Sequence, residues 1–104
     1  MIESTQIGPY EFQIRTSIIP EEANNRGEVN LESKVIRISP TTSATETPVT
    51  LLHELIHSVN HVFGLEDKEE VVKPLANGLA QALQSLGYLP RTIPHRKIRS
   101  DGTS

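Results

Sequence analysis

Residues 47–67 read TPVTLLHELIHSVNHVFGLED, and this stretch decides how the chain is expected to fold. Thr47 can cap a helix and Pro48 suits its first turn, while Gly64 is a plausible stop. The apolar residues between them recur at spacings of three and four, as on one face of an α-helix. These residues are Leu52, Leu55, Ile56, Val59 and Phe63. The stretch therefore predicts an amphipathic helix that packs along this apolar stripe.

The same helix carries two histidines and a glutamate in the pattern His53-Glu54-x-x-His57. Residues four apart are neighbours on a helix face, so the two imidazoles can point at one ion. At about 100° per residue, all three side chains fall beside the apolar stripe and outside the packed face. The H-E-x-x-H pattern is typical of zinc sites in which the glutamate is the general base for a metal-activated water. We therefore expect His53 and His57 to bind Zn²⁺ and Glu54 to be catalytic.

A catalytic zinc site needs a third protein ligand, which must come from elsewhere in the chain. His61 continues the series, but it lies about 12 Å along the helix axis from His53. The two cannot share an ion with the histidine between them, so His61 is expected to be exposed or to line a cleft. Glu69 shares the inward face of a second predicted helix, and we expect it to be the third ligand. Glu70 is the alternative, although its spacing from Asp67 also fits a helix-capping pair.

The second helix is predicted to begin after Asp67 and to end at Gly87. Its apolar positions again recur at helical spacing and predict a buried stripe. They are Val72, Leu75, Ala76, Leu79, Leu83 and Leu86. Pro74 lies inside this helix and should kink it, or move its regular start to about that residue.

The residues before the first helix have the patterns of β-strands. YEFQIR, residues 10–15, alternates apolar and polar side chains, as in a half-buried strand. EVNLESKVIRIS, residues 28–39, predicts a hairpin of two short strands, and loops are predicted over residues 18–27 and 39–48. Strands followed by helices indicate an α+β fold, with a small antiparallel sheet of about three strands packed against two main helices.

Composition narrows the class of protein further. The 104 residues include no cysteine, which excludes disulfides, thiolate metal sites and a thiol nucleophile. No signal-like segment or membrane-length apolar run is present, which favours a cytoplasmic protein without a membrane partner. The net charge of −3 is uneven: residues 1–89 carry six basic and twelve acidic residues, whereas residues 90–104 carry four and one. We expect residues 1–89 to form one domain and residues 90–104 a basic, flexible tail.

The segment TLLHELIHSVNHVFGLEDKEEVVKPLANGLAQAL, residues 50–83, resembles the core of small zincin-type metallopeptidases close to the ImmA/IrrE-like proteins. The resemblance is to the short forms carried by phages and prophages of Gram-positive bacteria. It implies a gluzincin arrangement with the two motif histidines as ligands, the motif glutamate as base, and Glu69 or Glu70 as third ligand. It also implies that the strand around residues 34–39 is an edge to which a peptide substrate adds. The chain departs from the pattern at Lys73, where the family often has an acidic residue.

These observations predict a zinc metallopeptidase acting on a protein or peptide, and the resemblance implies a phage or host regulatory protein as substrate. No oxyanion-stabilising residue stands out: Tyr10, Tyr88, His61 and His95 each fit an ordinary packing or surface role better. The alternative function is a non-proteolytic metal-binding regulatory or interaction protein that keeps the fold. Nucleic-acid binding by the tail is less favoured, because the body is acidic and aromatic residues are few. A monomer is the default, without evidence from the sequence.

Overall fold

The computed structural model describes residues 4–17, 26–95 and 98–100, which form a mixed β-sheet and two helices. The strands are β1 Ser4–Ile7, β2 Tyr10–Thr16, β3 Gly27–Asn30, β4 Val35–Ile38 and β5 Arg99–Ser100. The helices are α1 Thr47–Val62 and α2 Glu69–Leu86. The predicted α+β class is confirmed, as are the strand at residues 10–15 and the hairpin of two short strands. Most of the loop predicted over residues 18–27 falls outside the described residues.

The sheet differs from the predicted antiparallel sheet of about three strands. Its order is β1-β2-β4-β3, with β5 also pairing with β2. β1 with β2, and β3 with β4, are antiparallel, whereas β2 pairs in parallel with both β4 and β5. The sheet is therefore mixed and has two more strands than predicted. β4 lies between β2 and β3, so the strand predicted to offer a free edge is an internal one.

The hydrophobic core lies between the sheet and α1. Phe12 and Ile14 of β2 and Ile36 and Ile38 of β4 are buried from adjacent strands, because alternate residues of a strand point to the same face. Leu51 of α1 packs against these residues and completes the cluster. The core therefore holds α1 against the sheet and fixes the position of the H-E-x-x-H motif relative to β3 and β4.

The helix α1 has the predicted ends but not the predicted cap. Pro48 lies in the first turn and Gly64, with φ of 69°, follows the last residues of the helix. Glu46 is the N-cap and no side chain caps the helix. The hydroxyl of Thr47, which was predicted to cap, instead donates to the carbonyl of Ser43 at 2.8 Å. The helix therefore begins through backbone geometry and Pro48 rather than through a side-chain cap.

The packed face of α1 matches the predicted apolar stripe only in part: Leu55 packs against the core, but other members of the stripe do not lie on this face. Val59 and Phe63 are 36% and 60% exposed, whereas Glu54 and Ser58 are buried. Ser58 can lie on this face because its hydroxyl donates to the carbonyl of Glu54 at 2.8 Å, which leaves no unpaired hydrogen-bonding group. The prediction that Glu54 lies outside the packed face is therefore wrong.

The helix α2 packs mainly against α1. It ends at Gly87, which has the left-handed conformation expected of a C-terminal glycine (φ 86°). It runs through Pro74 from a start at Glu69, so the proline does not displace the start of the helix. Of the predicted stripe, the small side chains are buried and the larger leucines at positions 75, 79 and 86 are exposed. A seam of Val72, Ala76 and Ala80 therefore brings α2 close to α1.

Two isoleucines from residues 90–104, where we expected a flexible tail, pack into the core. Ile93 and Ile98 are buried in the main core, and the Ile93 amide donates to the carbonyl of Ala44 at 2.9 Å. β5 then pairs with the end of β2. Residues 96–97 and 101–104 lie outside the described residues. Among the helices that the structure describes, none is long and apolar enough to cross a membrane.

We expect Ile93→Ala to lower the free energy of unfolding by about 2–4 kcal/mol, because it removes a buried side chain from the core. Urea denaturation followed by circular dichroism measures this change. Leu86→Ala is the control, since Leu86 is 68% exposed and its truncation should change stability by no more than about 0.5 kcal/mol. Equal, small effects of the two substitutions would mean that residues 90–95 do not contribute to the core.

Candidate metal centre

Two histidines of α1 and one glutamate of α2 converge. The Nε2 atom of His53 lies 2.8 Å from Oε2 of Glu69, and the Nε2 atom of His57 lies 2.9 Å from Oε1 of the same carboxylate. One ligand atom from each of the three residues lies within 4.8 Å of the others. Two imidazole nitrogens and a carboxylate oxygen form a donor set for a divalent metal ion. The cluster could therefore hold a metal ion.

The structure distinguishes the residues that we considered as the third ligand. Glu69, the first residue of α2, faces both histidines of the motif. Glu70 is exposed and does not belong to the cluster. His61 is also exposed, as expected from its distance along the helix axis. The geometry thus favours Glu69 over Glu70.

Asp67 supports the cluster from the loop between the helices. The Nδ1 atom of His57 lies 2.9 Å from each carboxylate oxygen of Asp67, and the side-chain amide of Asn60 donates to the same carboxylate at 2.9 Å. A neutral His57 that donates through Nδ1 keeps its Nε2 lone pair free for a metal. The predicted capping pair of Asp67 and Glu70 is wrong, because the N-cap of α2 is Lys68 and no side chain caps the helix.

The charges around His57 shift its pKa and that of its partner. Burial lowers the pKa of His57, but the hydrogen bond and charge of Asp67 outweigh it, and the pKa is raised above the ordinary value. Partial burial raises the pKa of Asp67, yet hydrogen bonds from Asn60 and His57 bring it below its usual value. Asp67 is therefore held ionised, as a residue that orients a metal-binding histidine must be.

We expect Asp67→Asn to weaken metal binding by about 10- to 100-fold, because the amide cannot supply the charge that orients and polarises His57. Competition with a chromophoric chelator measures the affinity. Glu66→Gln is the matched control, since Glu66 is an exposed neighbour in the same loop that pairs with Lys68 instead. An affinity of Asp67→Asn equal to that of the control would assign Asp67 a role in the loop only.

Glu54 is held beside the cluster in a buried position. Its side chain is only 8% exposed, and burial raises its pKa to about 7, a shift that the charge of His57 opposes and that of Glu69 reinforces. Gly27 makes room for it: a Cβ atom there would lie 3.2 Å from Cγ of Glu54 and 2.9 Å from Cγ2 of Thr50. The absence of a side chain at Gly27 therefore lets the start of β3 approach α1 and cover the carboxyl group.

A cavity of about 380 Å³ opens beside these residues. His53, Glu54 and Glu69 line it together with residues from the start of β3, α1 and α2. The further lining residues include Arg26, Gly27, Val49, Thr50, Lys73 and Asn77. A molecule in the cavity would thus contact the histidine-glutamate cluster and the buried carboxyl group at once. The sequence did not single out Asn77, because one asparagine on a helix carries no motif.

The strand edge that borders the cavity belongs to β3. Ser39 donates its amide to the carbonyl of Arg26 at 2.8 Å, so these two residues form a hydrogen-bonded pair of the β3–β4 ladder. Because such pairs alternate, the main-chain groups of Gly27 and Val29 point away from β4. No other described strand pairs with this side of β3. The free edge is therefore β3, and the predicted edge at residues 34–39 is wrong.

The structure gives Tyr10, Tyr88 and His95 no contact with the cavity. Tyr10 and Tyr88 are exposed, and the ammonium group of Lys34 lies 4.8 Å from the centre of the Tyr10 ring. His95 is hydrogen-bonded to the carbonyl of Thr42. None of these residues is among those described as lining the cavity.

No family model, curated protein or solved structure matches the chain. The similarity to zincin-type metallopeptidases therefore stays a prediction, and the chemistry of the site has to be inferred from its own geometry.

Proposed function

We propose that the protein is a zinc-dependent metallopeptidase. His53, His57 and Glu69 are its metal ligands, and Glu54 is its general base. The observation that carries this proposal is the approach of a carboxylate from a separate helix to both motif imidazoles, beside a buried glutamate and an open cavity. A pair of surface histidines placed by chance has no reason to share a partner on another helix.

The donor set suits zinc better than the harder divalent ions. Imidazole nitrogens favour zinc and other late transition metals, whereas calcium and magnesium prefer sites built from oxygen alone. Three protein ligands also leave a position for water or substrate, as in catalytic zinc sites. Zinc bound there would lower the pKa of water and polarise the substrate carbonyl.

The remaining chemistry belongs to side chains of this chain. The carboxylate of Glu54 lines the cavity next to the ligands, where it can accept a proton from the water that attacks the scissile carbonyl carbon. As the C–N bond breaks, the same group can deliver that proton to the leaving amine. Asp67 keeps His57 in the tautomer that binds a metal. The free edge of β3 can orient the main chain of an extended peptide by adding it as a strand.

A non-proteolytic interaction protein with the same metal site is the second candidate. The observation that favours it is the exposed apolar stripe of α2, formed by Val71, Leu75, Leu79 and Leu86. Exposed apolar surface of this kind is typical of interaction sites. A regulatory protein as substrate or partner remains an expectation from the resemblance.

The proposal is tested by metal analysis and cleavage on one preparation. Protein purified without added metal is expected to contain about one zinc per chain by mass spectrometry. The same protein should then release peptides from unfolded casein, identified by their new termini, and a chelator should stop the release. Metal-free protein that gains no zinc on reconstitution would exclude both candidates, whereas zinc without cleavage would favour the second.

A further inference from the structure

The cavity has cations on two of its walls. Arg26 precedes β3 on one side, and Lys73 lies on α2 on the other. The acidic side chains of the lining, Glu54 and Glu69, already have roles in proton transfer and metal binding under the proposed function. The charge that remains available to a bound molecule is therefore positive.

Of the two cations that line the cavity, Lys73 is the one with no ion-pair partner among the residues that the structure describes. Arg26 pairs with Glu46 and, outside the cavity, Lys68 pairs with Glu66. Within the described ranges of the chain, no carboxylate pairs with Lys73. Its ammonium group is thus free to bind an anion from the cavity.

Lys73 also has a suitable position relative to the proposed metal. Glu69, Lys73 and Asn77 follow one another at intervals of four, so they lie along one face of α2 and all line the cavity. Lys73 is about 6 Å further along the helix axis than Glu69. For an extended peptide that lies along α2 and rises about 3.3 Å per residue, this offset corresponds to one or two residues from the scissile bond. The amide of Asn77 can add a hydrogen bond to a group held there.

We propose that Lys73 makes the site selective for a carboxylate one or two residues from the scissile bond. The carboxylate is that of an Asp or Glu side chain or of the peptide's own C-terminus, since both present the same group. This inference rests on the proposed function, because the position of the carboxylate is measured from the metal.

Three hydroxamates that carry a carboxylate on the side chain, at the C-terminus or not at all test the proposal by binding, without turnover. Each has the zinc-binding part HONH–CO–CH₂–CH₂–CO–, joined to Asp-amide, to Ala with a free C-terminus, or to Asn-amide. Calorimetric titration of the zinc-loaded protein should show at least one acid binding about three- to tenfold more tightly than the neutral Asn-amide probe. Preference for Asp-amide would identify the side chain as the source of the charge, and preference for the free Ala acid would identify the C-terminus.

Substitutions then assign the selectivity to Lys73. In Lys73→Gln the acidic probes should lose their advantage while the Asn-amide probe keeps its affinity, which also shows that the site is intact. Lys68→Gln is the matched control, because it removes the same charge next to Glu69 but outside the cavity; it should retain the preference. Lys73→Glu should make the neutral probe the tightest of the three.

The outcomes separate this inference from the function on which it rests. If all three probes bind the zinc-loaded protein equally, Lys73 has no selective role and only the inference fails. If Lys73→Gln weakens all three probes alike, the residue acts on the metal or the hydroxamate and the inference also fails. If a protein that contains zinc binds none of them, the proposed catalytic site fails, and the inference with it.

Discussion

Replacing Glu54 with glutamine is expected to abolish peptide hydrolysis while leaving the metal and the fold in place. The amide fills the same volume but cannot accept a proton, so the attacking water loses its base. Loss of a general base lowers the rate by about 10²- to 10⁴-fold. Metal content should be unchanged, because Glu54 is outside the ligand cluster. Stability should be equal or higher, since a neutral group replaces a buried carboxyl group that is costly to ionise.

This result is measured on one preparation by three methods: metal content by mass spectrometry, unfolding by urea, and release of casein peptides. Glu70→Gln is the control, because it makes the same chemical change at an exposed position outside the cluster and should retain full activity. Cleavage by Glu54→Gln at the normal rate would exclude Glu54 as the base. If neither the wild type nor the variant cleaves, and the variant keeps its biological activity, the interaction protein is the better interpretation.

The helices were predictable from the sequence because their ends are determined locally. Pro48 fits a first helical turn, and Gly64 and Gly87 adopt positive φ values that other residues rarely adopt. The parallel pairing of β2 with β4 depends instead on how the chain crosses between two hairpins, which no local pattern encodes. Ile93 and Ile98 lie among prolines and charges without periodicity, so only the assembled core reveals that both are buried.

The packed face of α1 is only partly the one that periodicity predicts, and the difference has a physical reason. Periodicity assigns helix faces by the polarity of side chains, but in this small domain Glu54 and Ser58 are buried. Ser58 pairs within its own helix, and Glu54 has space because Gly27 has no side chain. Neither condition can be read from the residues of α1 alone.

The candidate metal cluster was more predictable than the contacts that support it. The helical phase of Val72 and Ala76 extends back to Glu69, so the face that packs on α1 also brings Glu69 to the histidines. The spacing of Asp67 from Glu70 predicts a helix cap, because it matches a local pattern. In the structure Asp67 forms a tertiary hydrogen bond with His57 instead of a helix cap. A contact of this kind, between a loop and another helix, has no signature in sequence spacing.

Glu69→Ala is expected to remove most of the metal affinity. The loss should exceed the decrease of about 10- to 100-fold expected when a supporting carboxylate such as that of Asp67 is removed. Each of its two carboxylate oxygens faces one of the imidazole nitrogens, and among the described residues the cluster contains no second acidic residue. Glu70→Ala is the matched control, since both residues are exposed acids in the first turn of α2. It should bind metal as the wild type does.

The change is measured by how much zinc stabilises each protein against urea. A ligand at one hundred times its dissociation constant stabilises the folded state by about 2.7 kcal/mol, and the gain disappears when the dissociation constant exceeds the zinc concentration. At a zinc concentration of about one hundred times the dissociation constant of the wild type, Glu70→Ala should keep this stabilisation and Glu69→Ala should lose nearly all of it. The reverse result would identify Glu70 as the third ligand. The orientation of α2 relative to the motif would then differ from the one described. If both variants keep the full gain, zinc is bound by the two histidines without help from α2, and the cluster is not the metal centre of a peptidase.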